Sequence, residues 1–339
     1  MFPVRLKGPV SKYTGYAVGF LSMVKELKKR GEIDIDLKPY RNHVADGTDD
    51  VILQMLEEGK NYTDVGVLTC FPVKLRELGT RYKIAYCMYE ATDIPFLWKS
   101  AVEQADEVWV PSQFCVGVFK RYNPRIRLVR WGVDNVVFRP MPVQKDRSMF
   151  RFGTVGVQGK RKGIDVLVNA FNRAFRGNAG VRLTIKTRDT KWLPGFANPM
   201  IDVIDENWEE ERLVQFYNEI DCLAFPTRAE GIGMTPLQAA MCGTPALVTN
   251  WSGCSDYIDN NGIWGINIAG LSRVTGMEVQ GAQWAEPDQR HLVQLMQWAV
   301  DTRPVVSGDY NLWTTGNMAR EFTTACTLAW RRYTNGNSH

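Results

Sequence analysis

A carboxylate followed by two closely spaced glycines, Glu230-Gly231-Ile232-Gly233, is the part of this chain best suited to chemistry on a polar ligand. It lies in PTRAEGIGMTPLQAAMCGTPALV, residues 226–248, where an apolar run ends in a glycine loop and helix-forming residues follow. Gly231 and Gly233 allow the backbone to approach a ligand, and unpaired amides from Gly231 to Met234, at the start of the next helix, favour an anion such as a diphosphate. Glu230 stands at the rim, placed to accept hydrogen bonds from sugar hydroxyls. Thr235 is read as the N-cap, Pro236 as the first helical residue and Gly243 as the residue that closes the helix. The same glycines also suit an ordinary strand-loop-helix turn. A second chemical stretch, FGTVGVQGKRKGIDVLVNAF, carries three consecutive cations, Lys160, Arg161 and Lys162, directly before Gly163. They read either as an anion site or as a solvated basic turn.

These residues need rigid elements to hold them. Short apolar runs alternate with helical periodicity throughout, as in parallel sheets covered by helices. Strands are expected at Val4–Leu6, Ile33–Leu37, Val65–Leu68, Ile84–Tyr89, Glu107–Val110, Arg127–Arg130, Phe152–Val157, Arg182–Lys186, Asp221–Phe225 and Ala246–Val248. Ala17, Phe20, Leu21, Val24 and Leu27 share one face of a first helix; Ile164, Leu167, Val168, Phe171, Ala174 and Phe175 share one face of another. A terminal helix is expected from Met318 to Tyr333. With 339 residues the chain exceeds the usual size of a single core, so two domains are expected. The aperiodic stretch FRPMPVQKDRSM, from Phe138 to Met149, reads as the linker. The division is thus 1–145 and 146–317, with the last helix packing back on the first domain.

On these residues the chain resembles the group-1 (family 4) glycosyltransferases. EGIGMTPLQAAMCGTP is similar to their E-x7-E block followed by a small-residue helix, and the resemblance extends over nearly the whole chain. It implies an α/β chain of the GT-B type, two Rossmann-like doubly wound domains with a cleft between them. It further implies retaining transfer of a sugar from a UDP- or GDP-linked donor, by front-face displacement that needs no metal and no cofactor. By this carry-over Glu230 contacts the transferred sugar, and Lys162 neutralises the diphosphate as the sugar bond breaks. Gly231, Ile232, Gly233 and Met234 line the donor through their amides. The family's second Glu is Gln238 here, which either binds the ribose or completes a capping box with Thr235. Val157 replaces a family Arg, with Lys160, Arg161 or Arg188 as substitutes. GPVSKYTGYAVGF resembles the first loop of the family, which puts Gly15 near the donor and makes Tyr13 and Lys12 either acceptor contacts or plain loop residues. Glu90 and Asp93, in YCMYEATDIPFLW, are candidates for acceptor contacts, with helix capping as the competing role. The acceptor is expected to be a carbohydrate or a lipid; hydroxymethylated DNA bases and a non-catalytic nucleotide-sugar binder are the alternatives.

Composition limits the rest. The 41 basic and 37 acidic residues leave a net charge of +4, too weak to imply nucleic-acid or membrane binding unaided. Seven scattered cysteines lack CxxC spacing and are read as reduced and mostly buried. No stretch offers eighteen uninterrupted apolar residues, so a cytoplasmic protein, with peripheral membrane contact at most, is expected. Asp34-Ile35-Asp36 fits a metal-binding DxD string, but alternation with Ile33 and Leu37 assigns both acids to the outer face of a half-exposed strand. His43, His291 and His339 match no sugar-binding histidine, and His43 and His291 are read as surface residues. The oligomeric state is not legible.

Overall fold

The apolar runs fold into two separate parallel sheets in the computed structural model, which describes residues 2–10, 15–40, 48–59, 63–157, 159–188, 198–275 and 279–336. The chain forms two compact units: Met1–Asp134 with Gly276–Ala282 and Asn311–His339, and Asn135–Thr275 with Gln283–Tyr310.

In the first unit β1 (Pro3–Gly8), β2 (Asp34–Pro39), β3 (Val65–Thr69), β4 (Tyr82–Tyr86), β5 (Glu107–Val110) and β6 (Ile126–Leu128) are ordered β2-β1-β3-β4-β5-β6. Every pair is parallel. Its helices are α1 (Gly15–Arg30), α2 (Asp50–Glu57), α3 (Phe96–Glu103) and α4 (Gln113–Phe119). Helix α1 buries Ala17, Phe20, Val24 and Leu27 as its spacing predicts, while Leu21 is only half-buried. It lies close to β1 because Gly8 has no side chain: a Cβ there would sit 2.5 Å from the Phe20 ring.

The Asp34-Ile35-Asp36 string departs from its expected placement. Asp36 is fully buried, because its neighbour across the β1–β2 register is Arg5, whose Nε donates to Asp36 Oδ2 at 2.7 Å. Thr63 donates to the same oxygen at 3.1 Å, and Lys38 lies 3.2 Å from the other. Burial is tolerated because the carboxylate is both paired and hydrogen-bonded.

In the second unit β7 (Phe150–Val155), β8 (Val181–Thr187), β9 (Ile201–Asp205), β10 (Cys222–Phe225), β11 (Ala246–Thr249) and β12 (Ile263–Ile266) are ordered β12-β11-β10-β7-β8-β9, again all parallel. A two-stranded antiparallel ribbon, β13 (Ile268–Arg273) and β14 (Gln283–Pro287), stands beside it. The helices are α5 (Gly159–Lys162), α6 (Ile164–Ala174), α7 (Glu210–Glu219), α8 (Met234–Met241) and α9 (Gln289–Thr302). Helix α6 buries Ile164, Leu167, Val168 and Phe171 against Phe150, Phe152 and Leu183 of the sheet. The segment read as a linker lies on this unit: Phe138 packs 6.2 Å from the Tyr217 ring, and the Met141 N–H donates to Asn218 Oδ1 at 2.8 Å.

The last helix, α10 (Thr315–Gly336), belongs to the first unit. It sets Phe322 edge-on to Trp109 at 5.2 Å and stacks Trp330 on Phe2 at 5.2 Å. All seven cysteines are buried and none forms a disulfide. Among the described residues no helix is long and apolar enough to cross a membrane.

Candidate active site

Strand order in the second sheet runs outward from β7 in both directions, through β8 to β9 and through β10 to β11 and β12. At such a reversal, loops leaving the carboxyl ends of adjacent strands diverge and open a crevice, the place where open α/β sheets bind ligands. The loop after β7 carries Arg161 and Lys162, and the loop after β10 carries Glu230.

The two loops meet at one atom. Glu230 Oε1 accepts from Lys162 Nζ at 2.7 Å, Arg161 Nη1 at 3.0 Å and Thr227 Oγ1 at 3.0 Å. Among the described residues Oε2 takes no hydrogen bond. Burial alone would raise the Glu230 carboxyl, but Arg161 and then Lys162 hold it below its ordinary value. Burial also lowers Lys162, against the opposing pull of Glu230. The basic turn is not simply solvated at Lys162, whose ammonium also lies 5.0 Å from the Phe225 ring centroid on β10. The approach depends on Gly163, at φ +68°, where a Cβ would fall 1.8 Å from the Pro226 carbonyl oxygen.

Arg228 fastens the same loops from behind. Its guanidinium is buried, bidentate to Asp165 at 2.8 Å on both oxygens, and bonded through Nε to Glu286 at 2.7 Å. It also donates to the Lys160 carbonyl, while its own N–H donates to the Arg161 carbonyl at 2.7 Å. A third segment, the turn Ser252–Tyr257, locks the glycine loop. Ser252 Oγ accepts the Glu230 N–H at 2.9 Å, the Gly253 N–H donates to the Glu230 carbonyl at 3.0 Å, and Tyr257 Oη donates to the Gly233 carbonyl at 2.6 Å. Ser252 does this at φ +58°, a left-handed conformation that a non-glycine side chain adopts at some cost.

Helix α8 starts at Met234, with Gly233 as N-cap at φ +74°. This corrects the assignment of Thr235 as N-cap and Pro236 as first helical residue, since both stand inside the first turn. The left-handed glycine turns the chain into the helix two residues earlier, at a position where a Cβ would meet Cys254 Sγ at 2.6 Å. The capping box therefore does not form. Gln238 Oε1 instead accepts from Tyr217 Oη at 3.1 Å, and Thr235 bonds the same hydroxyl. Gly243, at φ +79°, follows the helix end.

Lys162, Glu230 and Arg161 are thus in direct contact, and Gly231, Ile232, Gly233 and Met234 continue the same loop into α8. Gln238 lies farther along that helix. Of the three substitutes for the family Arg, Arg161 is the one in contact with Glu230, whereas Lys160 and Arg188 are exposed. Gly15 begins α1 in the other unit, exposed, with nothing within 4 Å of a built Cβ. Glu90 and Asp93 also belong to that unit. Asp93 accepts from Lys99 Nζ at 3.0 Å and from the Ile94 N–H at 2.8 Å, and it is bonded by Tyr122. Tyr13 and Lys12 lie outside the described residues, as do His43 and His339. His291 Nδ1 accepts the Asn267 N–H at 3.0 Å. Sequence reading missed Arg228 and Ser252. An Arg two residues before the loop carboxylate Glu230 is a signal for the first; nothing in the sequence points to the second.

Residues 149–274, which contain Arg161, Lys162, Arg228, Glu230 and Ser252, match the family model described as glycosyl transferases group 1. This segment is similar to the group 1 glycosyltransferases. Two relatives, the D-inositol 3-phosphate glycosyltransferases of Acidothermus cellulolyticus and Mycolicibacterium smegmatis, are 24% and 26% identical over 49% and 56% of this chain. The matches cover 44% and 45% of those relatives, so this chain spans less than half of their length. Sucrose-phosphate synthase from Thermosynechococcus elongatus superposes with a TM-score of 0.63 at 14% identity, covering 98% of each chain. The fold is GT-B. In the matched segment, the two loops at the strand-order reversal carry buried ion pairs.

Proposed function

We propose that this chain transfers a glycosyl group from a nucleoside-diphosphate sugar, UDP- or GDP-linked, to a hydroxyl of a carbohydrate or lipid acceptor, with retention of configuration. The observation that carries the reading is the convergence of Lys162 and Arg161 on Glu230 Oε1, while Oε2 takes no bond among the described residues. Two cations against one carboxylate leave a single positive charge at the end of the crevice. A diphosphate neutralises it, and the amides from Gly231 to Met234 at the start of α8 add donors. Glu230 Oε2 then accepts from a sugar hydroxyl. In the transfer, the acceptor oxygen bonds to the anomeric carbon as the bond from that carbon to the β-phosphate oxygen breaks. The acceptor proton passes to the departing phosphate. Lys162 and Arg161 stabilise the charge that develops there, from positions fixed before the donor arrives. No metal takes part in this scheme, and Gln238 reaches the ribose through the amide nitrogen that Tyr217 leaves unused.

Thermal unfolding with UDP, GDP, ADP and CMP tests the reading. Ligand at a hundredfold excess over its dissociation constant adds about 2.7 kcal/mol, so UDP or GDP is expected to raise the midpoint by several degrees. In Lys162→Met the shift disappears and kcat/KM falls by about 10²- to 10³-fold. A wild-type protein that responds to no nucleotide, or a variant with unchanged turnover, removes the proposal.

A further inference from the structure

The first unit carries apolar side chains that neither its core nor the transfer scheme uses. Helix α3 buries Trp98 and Val102, one turn apart, and opens with two residues that it leaves in solvent. Phe96 is 83% exposed, the most of any large apolar side chain among the described residues, and Leu97 is 70% exposed. Beside them, in the helical turn Pro72–Leu78 and the residue before it, Phe71 is 49% and Val73 44% exposed. Exposed apolar residues scattered singly need no explanation, but these four share one rim. The turn packs on α3, and the Phe71 ring stands edge-on, at 5.9 Å, to Trp98, the residue after Leu97.

The rim is rigid and bordered by cations. Tyr40, Phe71, Trp98 and Tyr89 pack in series, with ring centroids 5.8, 5.9 and 5.2 Å apart, and the last two are buried. Lys74 and Lys7 share Glu77, at 2.9 and 3.2 Å, and Lys99 and Arg121 share Asp93, at 3.0 and 3.8 Å. Two cations stand against one carboxylate in each group, so each keeps a positive charge in excess. Lys74 directly follows Val73, and Lys99 comes one helical turn after Phe96. Their ammonium groups sit over aromatic rings, 5.3 Å from the Tyr40 centroid and 5.1 Å from that of Tyr122.

We propose that Phe71, Val73, Phe96 and Leu97 form a docking surface that sets the first unit on an anionic bilayer, with the apolar tips in the acyl boundary and Lys74 and Lys99 at the lipid phosphates. A protein partner is the poorer fit, because protein interfaces deplete lysine, whereas here a lysine stands within one turn of each apolar pair. A bilayer suits that spacing. Apolar side chains enter at the headgroup boundary, and flexible lysine stems carry their charge back out to the phosphates. The surface is built wholly from the first unit and does not depend on the donor reading.

Co-sedimentation of the full chain with phosphatidylcholine vesicles, and with equimolar phosphatidylcholine–phosphatidylglycerol vesicles, gives the test. Binding to the mixed vesicles is expected to be about tenfold stronger than to phosphatidylcholine alone. The double variant Phe96→Ser, Leu97→Ser removes two anchors without changing the charge, and is expected to weaken that binding by about tenfold or more. Both side chains lie in solvent, so its unfolding midpoint, and its response in a nucleotide titration by thermal unfolding, match the wild type. Lys74→Ala with Lys99→Ala brings binding to the mixed vesicles down toward the phosphatidylcholine level. Wild-type protein that stays in the supernatant with both vesicles, or binds both equally, overturns the surface, as does binding that survives Phe96→Ser, Leu97→Ser. A dimer in light scattering that this double variant dissolves also overturns it, in favour of a second copy on the rim. Vesicle binding in a protein that responds to no nucleotide removes the donor reading and leaves the surface standing.

Discussion

Glu107, the first residue of β5 in the first unit, and Glu230, in the loop after β10 in the second, are both buried glutamates, but they are satisfied differently. Glu107 has both oxygens occupied: Tyr82 and Arg332 donate to Oε1, Trp109 Nε1 donates to Oε2 at 3.0 Å, and Arg127 lies 3.7 Å from Oε2. Glu230 gathers three donors on one oxygen and leaves the other unbonded among the described residues. A fully enclosed carboxylate serves architecture. A half-enclosed one, held rigid on one side, is an instrument for a ligand, and the position of the unfilled oxygen separates the two cases better than burial does.

Removing each charge tests the contrast. Glu230→Gln is expected to reduce kcat/KM by about 10²- to 10³-fold, measured with whichever donor the nucleotide titration identifies. Glu107→Gln is expected to leave kcat/KM per folded molecule unchanged and to cost roughly 3 kcal/mol in urea unfolding, since Arg332 and Arg127 lose their partner. If the two variants lose activity and stability in the same proportion, the distinction is void.

Titration sharpens it. Burial lowers Lys162 below its ordinary value of 10.5, so the alkaline limb of kcat/KM should begin below the usual lysine range, and Lys162→Arg should remove that limb. Glu230 shows the opposite pH edge. Its folded value lies below 4.5, so its stabilising contribution is complete above 4.5 and is lost as pH falls through the depressed folded value. The smallest effect is expected from Arg228→Lys, which keeps the charge and gives up the bidentate bond to Asp165. It should cost about 1 to 2 kcal/mol of stability and raise the donor KM a few fold, with kcat nearly unaffected.

Much of this was legible in the chain itself. Ten expected strands all fall on observed ones, because buried parallel strands read as short continuous apolar runs. Strand β9 was not legible: its sequence IDVID leaves Asp202, Val203 and Asp205 exposed, so no buried face marks it. The ribbon β13 escaped for the same reason, with most of its residues exposed. Lys162 and Glu230 were readable as site residues from a basic loop and a glycine loop, each after a strand. Their joint atom was not, since it depends on Gly163 closing on Pro226. Asp36 was misplaced because local alternation contains no information about Arg5 on the next strand.

The return of α10 also orders events at the ribosome. Synthesis supplies the six strands of the first sheet by Leu128, yet Glu107 waits for Arg332, 225 residues later, and Trp109 waits for Phe322. The second unit has its entire sequence, through Tyr310, before α10 has been made. The half of the molecule translated first is therefore the half whose packing is completed last, and until its final helix emerges it presents the nascent chain's surroundings with an uncovered aromatic face and a buried carboxylate that still lacks one of its two arginines.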